Sequence, residues 1–193
     1  MSFIQLRNGI FDFNRDDNVI SIDNVAFSLS GQNRYLGHSE HFYSVAQHCV
    51  ILANYVRDVL RLGPEEQYKA LMHDWVESLI GDMPYPLKRL IPEFEKFENK
   101  IWNDYHKQLN LPEDMNSDSM LLVKSLDRRI VYDEFYSLFG ESSLDRETKR
   151  AISGLVPLGI NIKADTRVTA YRKFLATHEE ICYKLISSGL WNT

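Results

Sequence analysis

Long apolar runs, cysteine and excess basic charge are what this sequence has least of. It holds no apolar run of about 18 residues, which excludes a membrane-spanning helix. Cys49 and Cys182 are its two cysteines. They are too few for a disulfide framework, so a reduced, cytoplasmic setting is expected. The opening MSFIQLRNGIFDF lacks the basic and apolar segments of a secretory signal. A formal net charge of -5 argues against a protein that coats nucleic acid, and no stable nucleic-acid partner is expected. Small phosphorylated ligands remain open, because a few local cations hold them. Repeats, low-complexity tracts and linkers are also missing. What remains is 193 residues, 44% hydrophobic and 25% charged, enough for a single domain over residues 1–193 with a sizeable core.

Periodicity predicts an all-α fold with a small N-terminal β-hairpin. Residues 3–13 alternate around Asn8-Gly9, a favoured two-residue turn. A short helix follows in SIDNVAFSLSG, with Ser21 or Asp23 as N-cap and Gly31 as stop. HFYSVAQHCVILANYVRDVLRLG reads as a longer helix, with Val45, Cys49, Leu52, Val56 and Val59 at helical spacing. Glu65 to Ile80 reads as the next, broken by Gly81, Pro84 and Pro86. PEFEKFENKIWNDYHKQLN sets Phe94, Phe97, Ile101 and Tyr105 on one stripe. DSMLLVKSLDRRIVYDEFYSLFG is a strong helix closed by Gly140. LDRETKRAISGL and ADTRVTAYRKFLATHEEICYKLIS complete the chain. The hairpin region spans 1–20, the core carrying the chemistry 21–140 and the C-terminal helices 141–193.

The segment LMHDWVESLIGDMPYPLK collects groups that resist burial inside an apolar pattern. His73 and Glu77 are four apart and share a helix face, with Asp74 to the side. His48 falls three after Val45 and four before Leu52, on an apolar face. Asp127 falls four after Val123 and three before Ile130, again on an apolar face. An inward histidine alone is more often a hydrogen-bonded core residue than a ligand, and an inward aspartate alone is usually a cap or an ion-pair partner. Three helices each aiming a polar group inward form a rarer pattern. Two imidazoles and two carboxylates suit a divalent transition metal: Co, Mn, Zn, Ni or Fe.

VAQH, HDWVESLIGDMPYPLK and VKSLD resemble the motifs of the HD-domain metal-dependent phosphohydrolases, in particular the nucleotidase-like branch. That branch holds deoxynucleotide 5′-nucleotidases and phage dATP triphosphohydrolases. The H…HD…D order is the superfamily signature. The Glu past HD and the GD-x-P-x-P-x-K tail are more specific to the branch. The resemblance covers roughly residues 30 to 135 and implies an HD-domain helical bundle and, in this branch, a homo-oligomer. It also implies metal ligands His48, His73, Asp74 and Asp127, with Glu77 and Asp82 acting on or aiming the attacking water. In Asn33-Arg34-Tyr35 it implies that Arg34 contacts phosphate and Tyr35 the nucleoside, while Lys88 and Lys124 face the phosphate chain. Ser39-Glu40-His41 imitates the ligand motif; His48 is preferred because its helix continues with the ligand facing inward. His38 and His41 are assigned to a loop or pocket rim, and His106 and His178 to the solvated surface.

The reaction so implied is hydrolysis of the 5′-ester bond of a deoxynucleotide. Arg34, Lys88 and Lys124, with Arg89 and Arg128 near, exceed what one phosphate needs, which favours a dNTP triphosphohydrolase over a dNMP 5′-nucleotidase. A cyclic or signalling nucleotide phosphodiesterase is disfavoured, because the second histidine set such work needs is not visible. A non-catalytic metal-stabilised scaffold is disfavoured by Glu77 and Asp82, which a structural site would not need.

Overall fold

A computed structural model describes residues 1–191. It is mostly α-helical with one two-stranded antiparallel hairpin, as the periodicity predicts. Strand β1 (Phe3–Gln5) pairs with β2 (Ile10–Asp12), Ile4 opposite Phe11. The helices are α1 (Ile22–Gly31), α2 (Val45–Asp58), α3 (Pro64–Met72), α4 (Glu77–Ile80), α5 (Tyr85–Leu90), α6 (Pro92–Tyr105), α7 (Asp118–Leu138), α8 (Arg146–Ile152) and α9 (Arg167–Ser187). Among these residues no helix is long and apolar enough to cross a membrane.

The core forms where α1, α2, α3 and α9 pack together, with α7 laid against α2 and α3. Leu29, Ala46, Cys49, Leu52, Leu71, Ile130 and Phe174 are fully buried there. Helix α2 starts where Ser44 caps it, its side chain accepting from the Gln47 N–H at 3.2 Å. Helix α9 starts in the same way, Thr166 accepting from the Thr169 N–H.

Several expectations need correction. Leu6 N donates to Gly9 O at 3.0 Å, so the hairpin tip is Arg7-Asn8, one residue before the favoured Asn8-Gly9. Helix α2 begins at Val45 instead of near His41, because Asn33 and Ser44 form an antiparallel bridge that keeps the preceding chain extended. Val59 lies past its end and is exposed, as is Phe97 on the open first half of α6. The helix expected over Glu65 to Ile80 is two helices. Residues between them keep helical dihedrals but bond three residues back: Trp75 N to Met72 O and Glu77 N to Asp74 O. His106 is buried, its Nδ1 facing the Trp102 and Asn103 carbonyls, and His178 is half-buried against the Tyr68 ring.

Candidate metal centre

Helix α2 and the chain entering it build the first wall of the site. The Asn33–Ser44 bridge closes a loop over residues 34–43, and Arg34 N donates to Tyr43 O at 2.9 Å. That closure sets Arg34 beside the first turn of α2, where His48 is wholly buried. The tightened turn after α3 presents His73 and Asp74, and α4 follows with Glu77 buried. Helix α7 crosses behind and supplies Asp127.

His48, His73 and Asp74 offer ligand atoms that lie within 4.8 Å of one another. His48 Nε2 is 3.1 Å from Asp127 Oδ1 and 3.8 Å from Asp74 Oδ2, and His73 Nε2 is 3.2 Å from Asp74 Oδ2. Both Nε2 atoms nonetheless have no hydrogen-bond partner. Atoms this close but not aimed at each other are disposed around a common third point. The far nitrogens fix the direction. His48 Nδ1 meets Glu134 Oε1 at 2.7 Å and His73 Nδ1 meets Ala70 O at 2.9 Å. A carbonyl or carboxylate there demands an N–H, which leaves each Nε2 lone pair facing the site. Three of the four expected ligands, His48, His73 and Asp74, therefore form one group, and Asp127 approaches it through His48 alone, its side chain 40% exposed.

Charge at the centre is uneven. Burial pushes the Asp74 carboxyl up, but His73 overcomes this and holds it well below the usual carboxylate range. His73 is in turn raised well above an ordinary imidazole, burial opposing and Asp74 prevailing. Glu77 goes the other way: burial first, then the negative charges of Asp74 and Asp82, push its carboxyl well up. Its Oε2 is buried without a partner, while Oε1 lies 3.3 Å from Lys88 Nζ. Asp82 is raised by burial, with Arg34 opposing. A divalent cation fits this donor set. It would satisfy two orphaned imidazole nitrogens and offset the carboxylate charge gathered beside them.

The residues assigned to substrate are disposed differently. Arg34 is inward, with Nη2 3.2 Å from Glu134 Oε2, Nη1 3.8 Å from Asp74 Oδ2 and Nη2 3.9 Å from Asp127 Oδ1. The Tyr35 hydroxyl also bonds Glu134, and its ring packs edge-on against Phe135 and Phe139. Lys88 is held by Glu77 and by Glu98 at 3.0 Å. Lys124 is exposed on α7 and has no ion pair among the described residues, and His38 and His41 are exposed on the loop.

Two residues of the site escaped the sequence reading. Glu134 is completely buried and holds His48, Arg34 and Tyr35 together. Burial would raise its carboxyl, but Arg34 and then His48 bring it down to about 2. Its signal was present: Asp127, Ile130 and Glu134 continue one face of α7. Gln32 is the other. Its Nε2 donates to Glu77 O at 2.8 Å and its Oε1 accepts from Asp82 N at 2.9 Å, clamping both ends of the turn that carries Glu77 and Asp82. Nothing local in the sequence marks it.

A groove of about 430 Å³ runs between α2, α9 and the segment 160–165, but none of the candidate ligands lines it. Its Lys173 and Asp165 neutralise each other at 2.8 Å.

Comparison with known proteins finds relatives that carry no assigned function. An uncharacterized protein, YfdR, of Escherichia coli is 41% identical over 122 residues, which cover 61% of this chain and 64% of the relative. An uncharacterized protein, RCAP_rcc00048, of Rhodobacter capsulatus is 26% identical over 112 residues, covering 56% of this chain and 57% of the relative. The chain thus spans less than two thirds of each relative it matches. No protein-family model matches it.

Proposed function

We propose that this protein is a metal-dependent phosphohydrolase that cleaves the 5′-ester bond of a deoxynucleotide. One observation carries the reading: four buried polar atoms without partners, Arg34 Nε, His48 Nε2, His73 Nε2 and Glu77 Oε2, belong to one small centre. Folded proteins leave few such atoms, and their concentration around His48, His73 and Glu77 suits a site that binds a charged group. The choice of a deoxynucleotide rests on the motif resemblance.

His48, His73, Asp74 and Asp127 would hold a divalent transition metal, which when bound supplies Lewis acidity toward phosphoryl oxygen and water. The remaining chemistry belongs to the chain's own groups. Glu77 has an unengaged Oε2 one turn past His73 and Asp74, a position suited to taking a proton from the attacking water. Asp82, clamped to Glu77 through Gln32, orients that water. Arg34 offsets charge on the phosphoryl oxygens.

The length of the phosphate chain turns on cations. Lys88 is engaged by Glu77 and Glu98, and Lys124 is exposed, so Arg34 is the cation beside the ligand carboxylates. One guanidinium suits one phosphate, which favours a dNMP 5′-nucleotidase. The dNTP triphosphohydrolase, favoured by the sequence, requires Lys88 to leave Glu98 for the β- or γ-phosphate. In the same reading the enzyme works in the cytoplasm and assembles with copies of itself. The exposed Tyr85, Leu87 and Leu90 of α5 are an apolar face of the kind such contacts use.

The test is a panel of dNMPs, dNTPs and ribonucleotides with added Mn²⁺ or Co²⁺ and product analysis. Deoxynucleoside plus phosphate is the expected outcome; deoxynucleoside plus triphosphate supports the longer substrate. No metal-dependent release of nucleoside from any of them overturns the proposal.

A further inference from the structure

Glu134 is a buried carboxylate with no opening to solvent, and all three of its partners belong to the centre. It sits two turns after Asp127 on the same face of α7, so one helix presents one carboxylate to the ligand side and another behind it. Arg34 stands between the two. Its guanidinium lies closest to Glu134, at 3.2 Å, but Nη1 is 3.8 Å from Asp74 Oδ2 and Nη2 is 3.9 Å from Asp127 Oδ1. Those same two oxygens face His48 Nε2 and His73 Nε2. A guanidinium that closed on Asp74 and Asp127 would take the oxygens a metal ion needs.

The chain carrying Arg34 cannot simply drift. Tyr35 and Leu36 both adopt positive φ, 58° and 54°, a conformation side chains with a β-carbon avoid. The Tyr35 hydroxyl, anchored on Glu134, ties the far end of this arm to α7. Removing the anchor frees the arm to relax, and the carboxylates left within its reach are Asp74 and Asp127.

We infer that Glu134 is a positioning residue whose negative charge holds Arg34 off Asp74 and Asp127 and so keeps these carboxylates available to a metal ion. The inference rests on the reading of the centre as a metal site. A buried carboxylate is costly, and an apolar residue of the same size would pack α7 at lower cost. Packing therefore does not account for Glu134, whereas competition between two cations for the same oxygens does. Its bond to His48 Nδ1 serves the same end, since it leaves the Nε2 lone pair facing the site beside those oxygens.

Glu134→Gln separates the charge from the shape. The amide oxygen still accepts the His48 Nδ1–H, but the carboxylate that attracts Arg34 is gone. Mn²⁺ alone, titrated by calorimetry into metal-stripped protein without nucleotide, is the readout. Glu134→Gln is expected to weaken Mn²⁺ binding by roughly 10–100-fold, the usual scale for an outer-shell partner. Adding Arg34→Gln to the same chain is expected to restore most of that loss, because the competing cation is removed. Unchanged Mn²⁺ affinity in Glu134→Gln overturns the inference, and so does a double variant as weak as the single one. Should Glu134→Gln fail to fold, Arg34→Gln alone decides: binding at least as tight as wild type supports the inference, and weaker binding overturns it. A wild-type protein that binds no Mn²⁺ removes the metal site itself, an outcome distinct from a wild type that binds and a Glu134→Gln that binds equally well.

Discussion

Glu77 is the residue in which the structure and the proposed chemistry meet most narrowly. It is buried, one of its oxygens has no partner, and Asp74 and Asp82 raise its carboxyl further above what burial does. Nothing in packing rewards that arrangement, and Lys88 at 3.3 Å compensates only the other oxygen. If Glu77 accepts a proton in the reaction, Glu77→Gln keeps the metal and loses about 10²–10⁴-fold in kcat. Metal content and turnover measured on one preparation check this; a variant with near wild-type kcat makes Glu77 a structural partner of Lys88. The grouping of His48, His73 and Asp74 was legible at this scale because His48 interrupts an apolar stripe and His73-Asp74 breaks an apolar segment, and such breaks can be read without knowing what faces them. Glu134 was not, although it continues the stripe of Asp127 and Ile130. It follows Asp133, and two successive acids ordinarily mark a solvated face. Both proved buried, each for a partner remote in sequence: Asp133 accepts from the backbone N–H groups of Leu158, Gly159 and Ile160, and Glu134 meets His48 across the bundle. His106 misled for the converse reason, since its polar neighbours concealed a ring satisfied by its own helix.

At the scale of elements, the turn from His73 to Asp82 governs the site. Three-residue hydrogen bonds tighten the chain between α3 and α4 without changing which side chains are inward, so the sequence pattern of one continuous helix survives while the helix does not. Long helices with a buried stripe, α2, α7 and α9, were legible, because the burial that stabilises them writes the period. The short α5 was not: none of its residues is buried, so it leaves no periodic trace. The turn ends at Gly81, whose φ of 88° and ψ of 154° suit glycine. A β-carbon there would meet nothing within 4 Å, so Gly81→Ala tests the backbone alone. The substitution is expected to cost roughly 1–3 kcal/mol of stability and to lower turnover by displacing Asp82, whose N–H Gln32 holds. Urea denaturation and kcat on the same variant measure both. Wild-type values for stability and rate would mean that the turn does not set Asp82.

For the whole molecule, the C-terminal residues, which carry no motif, complete the body that holds the centre. Helix α9 packs on α1, α2 and α3 and buries Ala170, Phe174, Ile181 and Leu185 in the same core as Leu52 and Leu71. Gln47, next to His48, donates to Lys163 O and accepts from Asp165 N, so the segment leading into α9 is fastened to the helix that carries the first ligand. Such contacts join residues more than a hundred positions apart and leave no local signature, which is why the helices there could be predicted and their role could not. What this architecture achieves is the meeting of α2, the turn after α3, and α7 at one point, and the central claim is that a single metal ion belongs there. Elemental analysis of protein purified without added metal, with His73→Ala and Asp127→Ala prepared in parallel, tests it most directly. The account predicts one equivalent of a transition metal per chain in the wild type and loss of that metal in both variants. A wild type that stays metal-free after incubation with Mn²⁺, Co²⁺ or Zn²⁺, or variants that keep the wild-type content, would contradict it.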